Sequence, residues 1–446
     1  MKVVVIGCTH AGTAAVVNIA ALYRDAKVTV YERNDNISFL SCGIALNVEG
    51  IVKDPATLFY SSPEKLAELG VETRMKHDVV SVNVADKKLR VRNVETGQEF
   101  DDTYDKLVVT SGSWPVEPKI ENSGLDNILL CKNYGHAQEI IRRTKTAQRI
   151  AIVGAGYIGT ELAEAFEVQG KSVVLIDQAP QILAKYLDPE MVACPQQLYL
   201  DRGIELAFNQ TVEAFVDDGR GGVAAVKTDG GEYKADMVVL CVGFRPNTAI
   251  FRGQLDMTPN GAIRVDEYMR TSAPDVLAAG DCCAVHNNAS GRPEYIPLAT
   301  NAVRMGTLVA RNLKNPTTKH PGAQGTSGIK IYDWNIASTG LTEIVAREMG
   351  LDAASSTLRD NYRPEFMPTT SELLLRIVYE RGSGRLLGAQ LQSKADLTQS
   401  INALSVCIQQ RMTVEELAFT DFFFQPHYNK PWNFLNSVAL KVLPPL

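Results

Sequence analysis

The chain has 446 residues, and its 45 basic and 51 acidic side chains leave a formal net charge of −6. That length exceeds one ordinary hydrophobic core and predicts two or three domains, and the dispersed charges offer no basic block for nucleic acid or an anionic membrane surface. No run of 18 apolar residues marks a membrane span, and the eight cysteines are scattered without a C-x-x-C pair, which predicts free thiols in a reducing compartment, by default the cytoplasm.

The opening residues Met1 to Gly7 look superficially like a signal peptide, but the apolar run stops at Gly7 and reads as a strand. It runs into Gly7-Cys8-Thr9-His10-Ala11-Gly12 and then a helix through about Tyr23, and the next strand, Val28 to Tyr31, ends at Glu32, twenty residues after Gly12. This is the layout of a dinucleotide-binding βαβ unit. Glycines let the backbone approach a pyrophosphate, the helix N-terminus faces its charge, and the terminal acid takes a ribose hydroxyl. Thr9 replaces the middle glycine of G-x-G-x-x-G, so the turn taken alone also fits an ordinary strand-turn-helix, and His10 is equally ambiguous by itself.

Asn36-Ile37-Ser38-Phe39-Leu40-Ser41-Cys42-Gly43 follows, leading into the apolar Ile44-Ala45-Leu46. A cysteine is often simply a small buried residue. Placed after a nucleotide unit and before a helix, whose N–H groups and positive dipole end stabilise a thiolate, Cys42 is a candidate for redox chemistry.

The strand Tyr104 to Ser113 ends in small residues, as though it closes one nucleotide site and crosses to another unit. That unit opens with Arg149 to Val153, carries the complete fingerprint Gly154-Ala155-Gly156-Tyr157-Ile158-Gly159, and ends its second strand at Asp177, eighteen residues after Gly159. An acid there favours an unphosphorylated ribose, and Gln178-Ala179 supply no cation for a 2′-phosphate, so NADH is expected over NADPH. Met237 to Asn247 ends the second unit as Tyr104 to Ser113 ends the first, and Asp275 to Asp281 is a strand whose closing Gly-Asp suits flavin ribityl hydroxyls. Two dinucleotide units in one chain imply electron traffic between two dinucleotides.

From about Thr317 the character changes. Gly322 to Gly328 reads as a linker, Leu373 to Tyr379 and Leu386 to Gln392 as a β-hairpin about Arg381-Gly382-Ser383-Gly384, and Asp396 to Gln410 and Val414 to Phe419 as helices. The aromatic stretch Phe422 to Trp432 fits an interface element or a terminus packed on its own domain.

The combination of Gly7 to Gly12, Asn36 to Gly43, Gly154 to Gly159, Val242-Gly243-Phe244-Arg245-Pro246-Asn247-Thr248 and Ala278-Ala279-Gly280-Asp281 resembles the flavin-dependent NADH oxidase, NADH peroxidase and coenzyme A-disulfide reductase family. This family lies within the pyridine nucleotide-disulfide oxidoreductases. Asp360 to Phe366 and Gln425 to Pro431 are most similar to its water-forming NADH oxidases.

The resemblance implies an α/β fold of two Rossmann-like domains plus a C-terminal α+β dimerisation domain. The FAD domain would span 1–113 and 248–318, the NAD domain 114–247 and the dimerisation domain 319–446. It implies FAD on Gly7, Gly12, Glu32, Arg33, Ser41, Thr110, Ser111, Gly112, Asp281 and Ala299, and NADH on Gly154, Gly156, Tyr157, Ile158, Gly159, Asp177 and Gly243. Cys42 would cycle between thiolate and sulfenic acid with His10 as its acid-base partner, O2 or peroxide being the oxidant, in a homodimer or higher homo-oligomer without bound metal.

The residues agree in one respect. Disulfide reductases carry C-x-x-x-x-C, but position 47 is Asn47, so Cys42 has no local partner, and a lone thiolate suits attack on peroxide or a mixed disulfide with a small thiol. His427 follows Pro426 with no acid placed to orient it and reads as structural or interfacial. Cys282-Cys283 reads as packing or flavin-proximal lining. NADH peroxidase and coenzyme A-disulfide reductase are alternatives on the same scaffold, and a flavoprotein redox sensor with Cys42 as its switch is a third.

Overall fold

The computed structural model describes residues 1–444. Its first sheet is parallel and has the order Val276–Ala278, Lys106–Val109, Lys2–Ile6, Lys27–Glu32, Val71–Met75. The strands are continuous apolar runs because both faces are covered, and Val3, Val4, Val5, Leu107, Val108 and Val109 are fully buried. The edge strand Val276–Ala278 returns to this sheet only after the whole second nucleotide unit. Helices His10–Leu22 and Ala299–Asn312 pack on each other so closely that a Cβ on Gly306 would stand 2.2 Å from the Ala11 carbonyl oxygen.

The second sheet is also parallel, with the order Glu205–Phe208, Ser172–Asp177, Arg149–Val153, Met237–Leu240, Ile128–Leu130. The chain passes between the two sheets on an antiparallel ribbon, Ser113–Pro115 against Phe244–Pro246. Both glycine turns and the strand ends thus lie near this crossing, as in open α/β sheets, whose ligands bind at the carboxyl ends of the strands.

A third, antiparallel sheet has the order Ser327–Ile331, Trp334–Gly340, Leu386–Ser393, Glu372–Glu380, Ala353–Asn361. It contains the hairpin expected from the sequence. The expected helix over 396–410 begins with a tight turn at Thr398–Ser400 and becomes α-helical at Ile401–Gln409. The stretch expected to be a linker is irregular only to Thr326, and it is buried rather than solvated. Ala323 and Gln324 are 4% and 8% exposed, and Gln324 donates to the Ser405 hydroxyl at 2.6 Å.

The aromatic stretch Phe422 to Trp432 has no regular structure, and a helix the sequence reading missed, Phe434–Leu440, follows it on an Asn433 cap. One continuous apolar cluster joins Phe39, Ile44 and Val48 beside Cys42 to Leu162 and Phe166 of helix Tyr157–Val168 and to Ile329 and Ile336 of the third sheet. Among the described residues no helix is long and apolar enough to cross a membrane.

Candidate active site

Two clefts flank the crossing ribbon. The first is lined by Gly7, Thr9, His10, Glu32, Arg33, Ser41, Thr110, Ser111, Gly112 and Asp281 among others. Gly7 has φ +88°, where L residues are strained, and a Cβ there would lie 2.6 Å from the Thr110 carbonyl oxygen. The Thr110 hydroxyl in turn donates to the Gly7 carbonyl at 2.8 Å. Thr9 holds the N-cap position of helix His10–Leu22 without making a side-chain cap, and it is exposed on the cleft.

Glu32 is 3% exposed. Its carboxylate accepts from the Cys8 N–H at 2.8 Å and from the Asn34 N–H and amide at 2.9 and 2.6 Å, and burial still raises its pKa against those bonds.

His10 opens its helix with Nδ1 2.9 Å from the Tyr60 hydroxyl and its ring stacked on Tyr60 at 5.8 Å. Nε2 is buried with no partner. Burial lowers the imidazole pKa, Asp281 opposing and Lys132 assisting, so the ring is neutral near pH 7. Asp281 accepts from the Ser113 hydroxyl at 2.8 Å and from Lys132 Nζ at 3.1 Å.

Cys42 sits in the turn Ser41–Gly43, against which Leu58 packs so tightly that Gly43 has no room for a Cβ. The loop is tied back to the glycine turn by buried Ser38, whose N–H donates to the Cys8 carbonyl at 2.9 Å. All eight cysteines are free, so Cys42 has no disulfide partner.

The expected lowering of its pKa does not appear. Cys42 is exposed in the isolated chain, yet the protein packed round it raises the thiol pKa, Glu161 adds to the rise, and Lys132 opposes it. The following helix, Ile44–Glu49, is only six residues long, too short for its dipole to outweigh desolvation. Ala299 opens helix Ala299–Asn312, and the residue of that helix that lines the cleft is Ala302.

The second cleft is lined by Gly154, Gly156, Asp177 and Gly243 among others. Gly154 has φ +108° and no room for a Cβ beside the Cys241 carbonyl oxygen, whereas a Cβ on Gly156 would meet nothing within 4 Å, so the backbone there is open to a ligand. Asp177 accepts from the Ala155 and Ala179 N–H groups at 2.5 and 2.7 Å. Tyr157, Ile158 and Gly159 are not among the cleft-lining residues. Tyr157 turns its hydroxyl to Ser327 Oγ at 2.7 Å, and Gly159 packs against the Gly154 carbonyl.

Sequence reasoning missed Tyr60, Lys132, Lys185 and Tyr295. Lys132 follows strand Ile128–Leu130 at its carboxyl end, the position where ligand sites collect, and its Nζ also stands 4.5 Å from the Phe244 ring. Tyr295 lines the second cleft with a buried, unpartnered hydroxyl, and Lys185 supplies on that cleft the cation that Gln178-Ala179 lack. Cys282 and Cys283 donate to the Ala279 and Gly280 carbonyls from the core, which is a packing role. His427 bonds the side chain of Gln425 at the surface and meets no acid. Among the described residues no cluster of His, Cys, Asp and Glu is arranged to hold a metal.

The family model described as pyridine nucleotide-disulphide oxidoreductase matches residues 1–306, and that of the corresponding dimerisation domain matches residues 326–433. This chain belongs to the pyridine nucleotide-disulphide oxidoreductases. Within that family it is similar to the NADH oxidase of Enterococcus faecalis, 54% identical over 443 residues that cover 99% of each chain. The structure of a water-forming NADH oxidase from Lactobacillus brevis bound to NADH matches at 50% identity and a TM-score of 0.97, covering 99% of this chain and 98% of that one. An engineered water-forming NADPH oxidase made from the same L. brevis protein and bound to NADPH matches with the same identity, coverage and TM-score, and its five substitutions replace an aspartate and introduce two arginines.

Proposed function

We propose that this chain is a FAD-dependent NADH oxidase that reduces O2 to water with two NADH. The observation that carries this reading is the lone Cys42 loop, tied to a glycine turn that bears a neutral His10 with its Nε2 unpartnered, in a fold that matches a water-forming NADH oxidase over its whole length.

The first cleft fits FAD. Gly7 leaves the backbone bare where a pyrophosphate would lie, Gly12 sits behind it, buried against the Gly7 carbonyl and not on the cleft, and Thr110, Ser111, Gly112, Asp281, Arg33 and Ser41 supply polar edges along its length. The second cleft fits NADH on Gly154, Gly156, Asp177 and Gly243, with a carboxylate where a 2′-phosphate would fall. The engineered relative, which lost an aspartate and accepts NADPH, supports that preference. FAD supplies the hydride acceptor and the route of electrons to oxygen.

The chain does the rest. The Cys42 thiol gives its proton to the neutral His10 Nε2 as its sulfur attacks one oxygen of hydrogen peroxide, the O–O bond breaks and the sulfur becomes sulfenic acid, and His10 returns that proton to the other oxygen, which leaves as water. The second NADH provides the electron pair that, with a proton, returns the sulfenic acid to the thiol and releases the second water, so two NADH and two protons are consumed per O2. Lys132 opposes the effect of burial at Cys42, and Tyr60 holds His10 in place.

The division into 1–113 with 248–318, 114–247 and 319–446 follows the sheets. The exposed aromatics Phe423, Phe424, Tyr428 and Trp432 suit a homodimer face, and the free cysteines suit the cytoplasm.

The test is oxygen uptake with limiting NADH and catalase added at the end. Two NADH per O2 without a catalase burst is expected. Cys42→Ser should keep NADH oxidation but drop to one NADH per O2 with peroxide accumulating, and a variant that still makes only water would remove Cys42 from the reaction. No uptake until peroxide or coenzyme A disulfide is supplied would move the assignment to a sibling activity.

A further inference from the structure

Away from both clefts lies a buried charged cluster that the proposed reaction does not use. Asp188 is 2% exposed, at the end of segment 181–188. Its N–H donates to Gln390 Oε1 at 2.7 Å, and its Oδ2 accepts from Gln390 Nε2 at 2.6 Å and from the Glu343 N–H at 3.2 Å. The Gln390 amide thus accepts from the backbone with its oxygen and donates to the carboxylate with its nitrogen.

Arg376 Nε lies 3.2 Å from the same Oδ2 as an ion pair without a directed hydrogen bond, while its two Nη atoms donate to Glu343 at 2.5 Å and Glu190 at 3.2 Å. Arg376 and Gln390 are registered opposite each other on adjacent strands of the third sheet, so both reach Asp188 from one rigid face.

The segment that Asp188 ends is a wall of the second cleft, to which Gln181, Leu183, Ala184, Lys185 and Tyr186 contribute. Leu183 is held at φ +54°, a left-handed conformation that a β-carbon disfavours, and its N–H donates to the Ala155 carbonyl at 2.8 Å. Tyr186 packs on Tyr157 with ring centroids 4.6 Å apart. The segment is therefore fixed at one end to the glycine turn and at the other to the third sheet. Among the described residues, none that lines this cleft lies beyond Pro297.

We infer that Asp188, Gln390 and Arg376 are positioning residues for the nicotinamide dinucleotide: they clamp the Tyr186 wall, and through it the C-terminal sheet sets the affinity of a cleft it does not line. The inference rests on the reading of the second cleft as the NADH site.

The experiment measures NADH binding to the anaerobic, flavin-loaded enzyme whose flavin has first been chemically reduced, by protein fluorescence, alongside steady-state kinetics, for Asp188→Asn and Gln390→Leu. Expected are a Kd and a KM for NADH raised about tenfold, the size of coupling that packed networks carry. Expected too are kcat within about twofold, unchanged flavin content, and an unchanged rate of O2 consumption by chemically reduced enzyme. Arg376→Lys, which keeps the charge and loses the planar fork, should fall between wild type and these variants and serves if either of them fails to fold. A lowered Tm with unchanged Kd, or equal losses in the NADH-dependent and NADH-independent steps, makes the cluster merely structural and overturns the inference. Wild-type protein that binds no NADH overturns the functional reading and this inference together, whereas wild-type binding with unaltered variants overturns this inference alone.

Discussion

The two glycine turns are built by one device and left in different states. In each, the acid that ends the second strand accepts the N–H of the residue after the first glycine, Glu32 from Cys8 and Asp177 from Ala155, so the carboxylate shapes the turn. Glu32 is sealed in the core with three donors, whereas Asp177 is only partly buried, at the rim of its cleft. The turn after Gly7 carries the side chains of Thr9 and His10 toward the cleft, while the turn after Gly154 presents bare backbone at Gly156. On the proposed reading the first turn belongs to a site built round a resident group and the second to one built for a molecule that arrives and leaves. Affinity would then rest in the first on a preformed interior, and in the second on a rim charge beside a wall held at both ends.

The largest effect expected from breaking this contrast is at Gly7. Gly7→Ala places a Cβ on a left-handed residue and against the Thr110 carbonyl, and the two costs together come to about 3 kcal/mol. The purified variant should lose more than nine-tenths of its bound flavin, read from its visible spectrum. A fully yellow variant would show that the turn yields, and that the first cleft is less rigid than its hydrogen bonds imply.

A smaller effect is expected at the rim of the second cleft. Asp177→Asn removes the charge that repels a 2′-phosphate and keeps an acceptor for one of the Ala155 and Ala179 N–H groups, which bond different carboxylate oxygens, and Lys185 already offers a cation on the same cleft. The NADPH-to-NADH ratio of kcat/KM should rise about tenfold with flavin content unchanged, the scale on which removing one repulsive element shifts specificity. A ratio that stays put would assign the discrimination to shape rather than charge.

What the sequence disclosed follows the same division. Gly154 to Gly159 and Asp177 were legible because a glycine turn against a neighbouring strand is a local requirement of backbone geometry, and the hairpin about Arg381 to Gly384 was legible for the same reason. Lys132, Tyr60 and Tyr295 were not, because each reaches its place from a distant segment and leaves no pattern around itself. The Cys42 thiolate was misjudged in the same way. The helix after it was foreseen, but not its length of six residues, and the Glu161 carboxylate that acts against the thiolate comes from the second nucleotide unit. The spare interaction capacity of the C-terminal sheet, directed at Asp188, was invisible because Gln390 and Arg376 look like ordinary polar positions of a strand.

The smallest effect is expected at Thr9, where the two fingerprints differ. Thr9→Gly would restore the complete G-x-G-x-x-G pattern to the first turn. Thr9 has φ −93°, which needs no glycine, and it makes no side-chain cap, so the substitution costs only a few tenths of a kcal/mol of helix stability. If the Thr9 side chain merely lines the cleft, flavin affinity measured by reconstitution of the apoprotein should change by less than about threefold and the rate of O2 reduction should not move. A loss of tenfold or more would mean that the threonine hydroxyl itself holds the bound group. The departure from the glycine pattern would then add a binding group rather than relax a constraint, and the first turn would owe its grip to a side chain where the second relies on backbone alone.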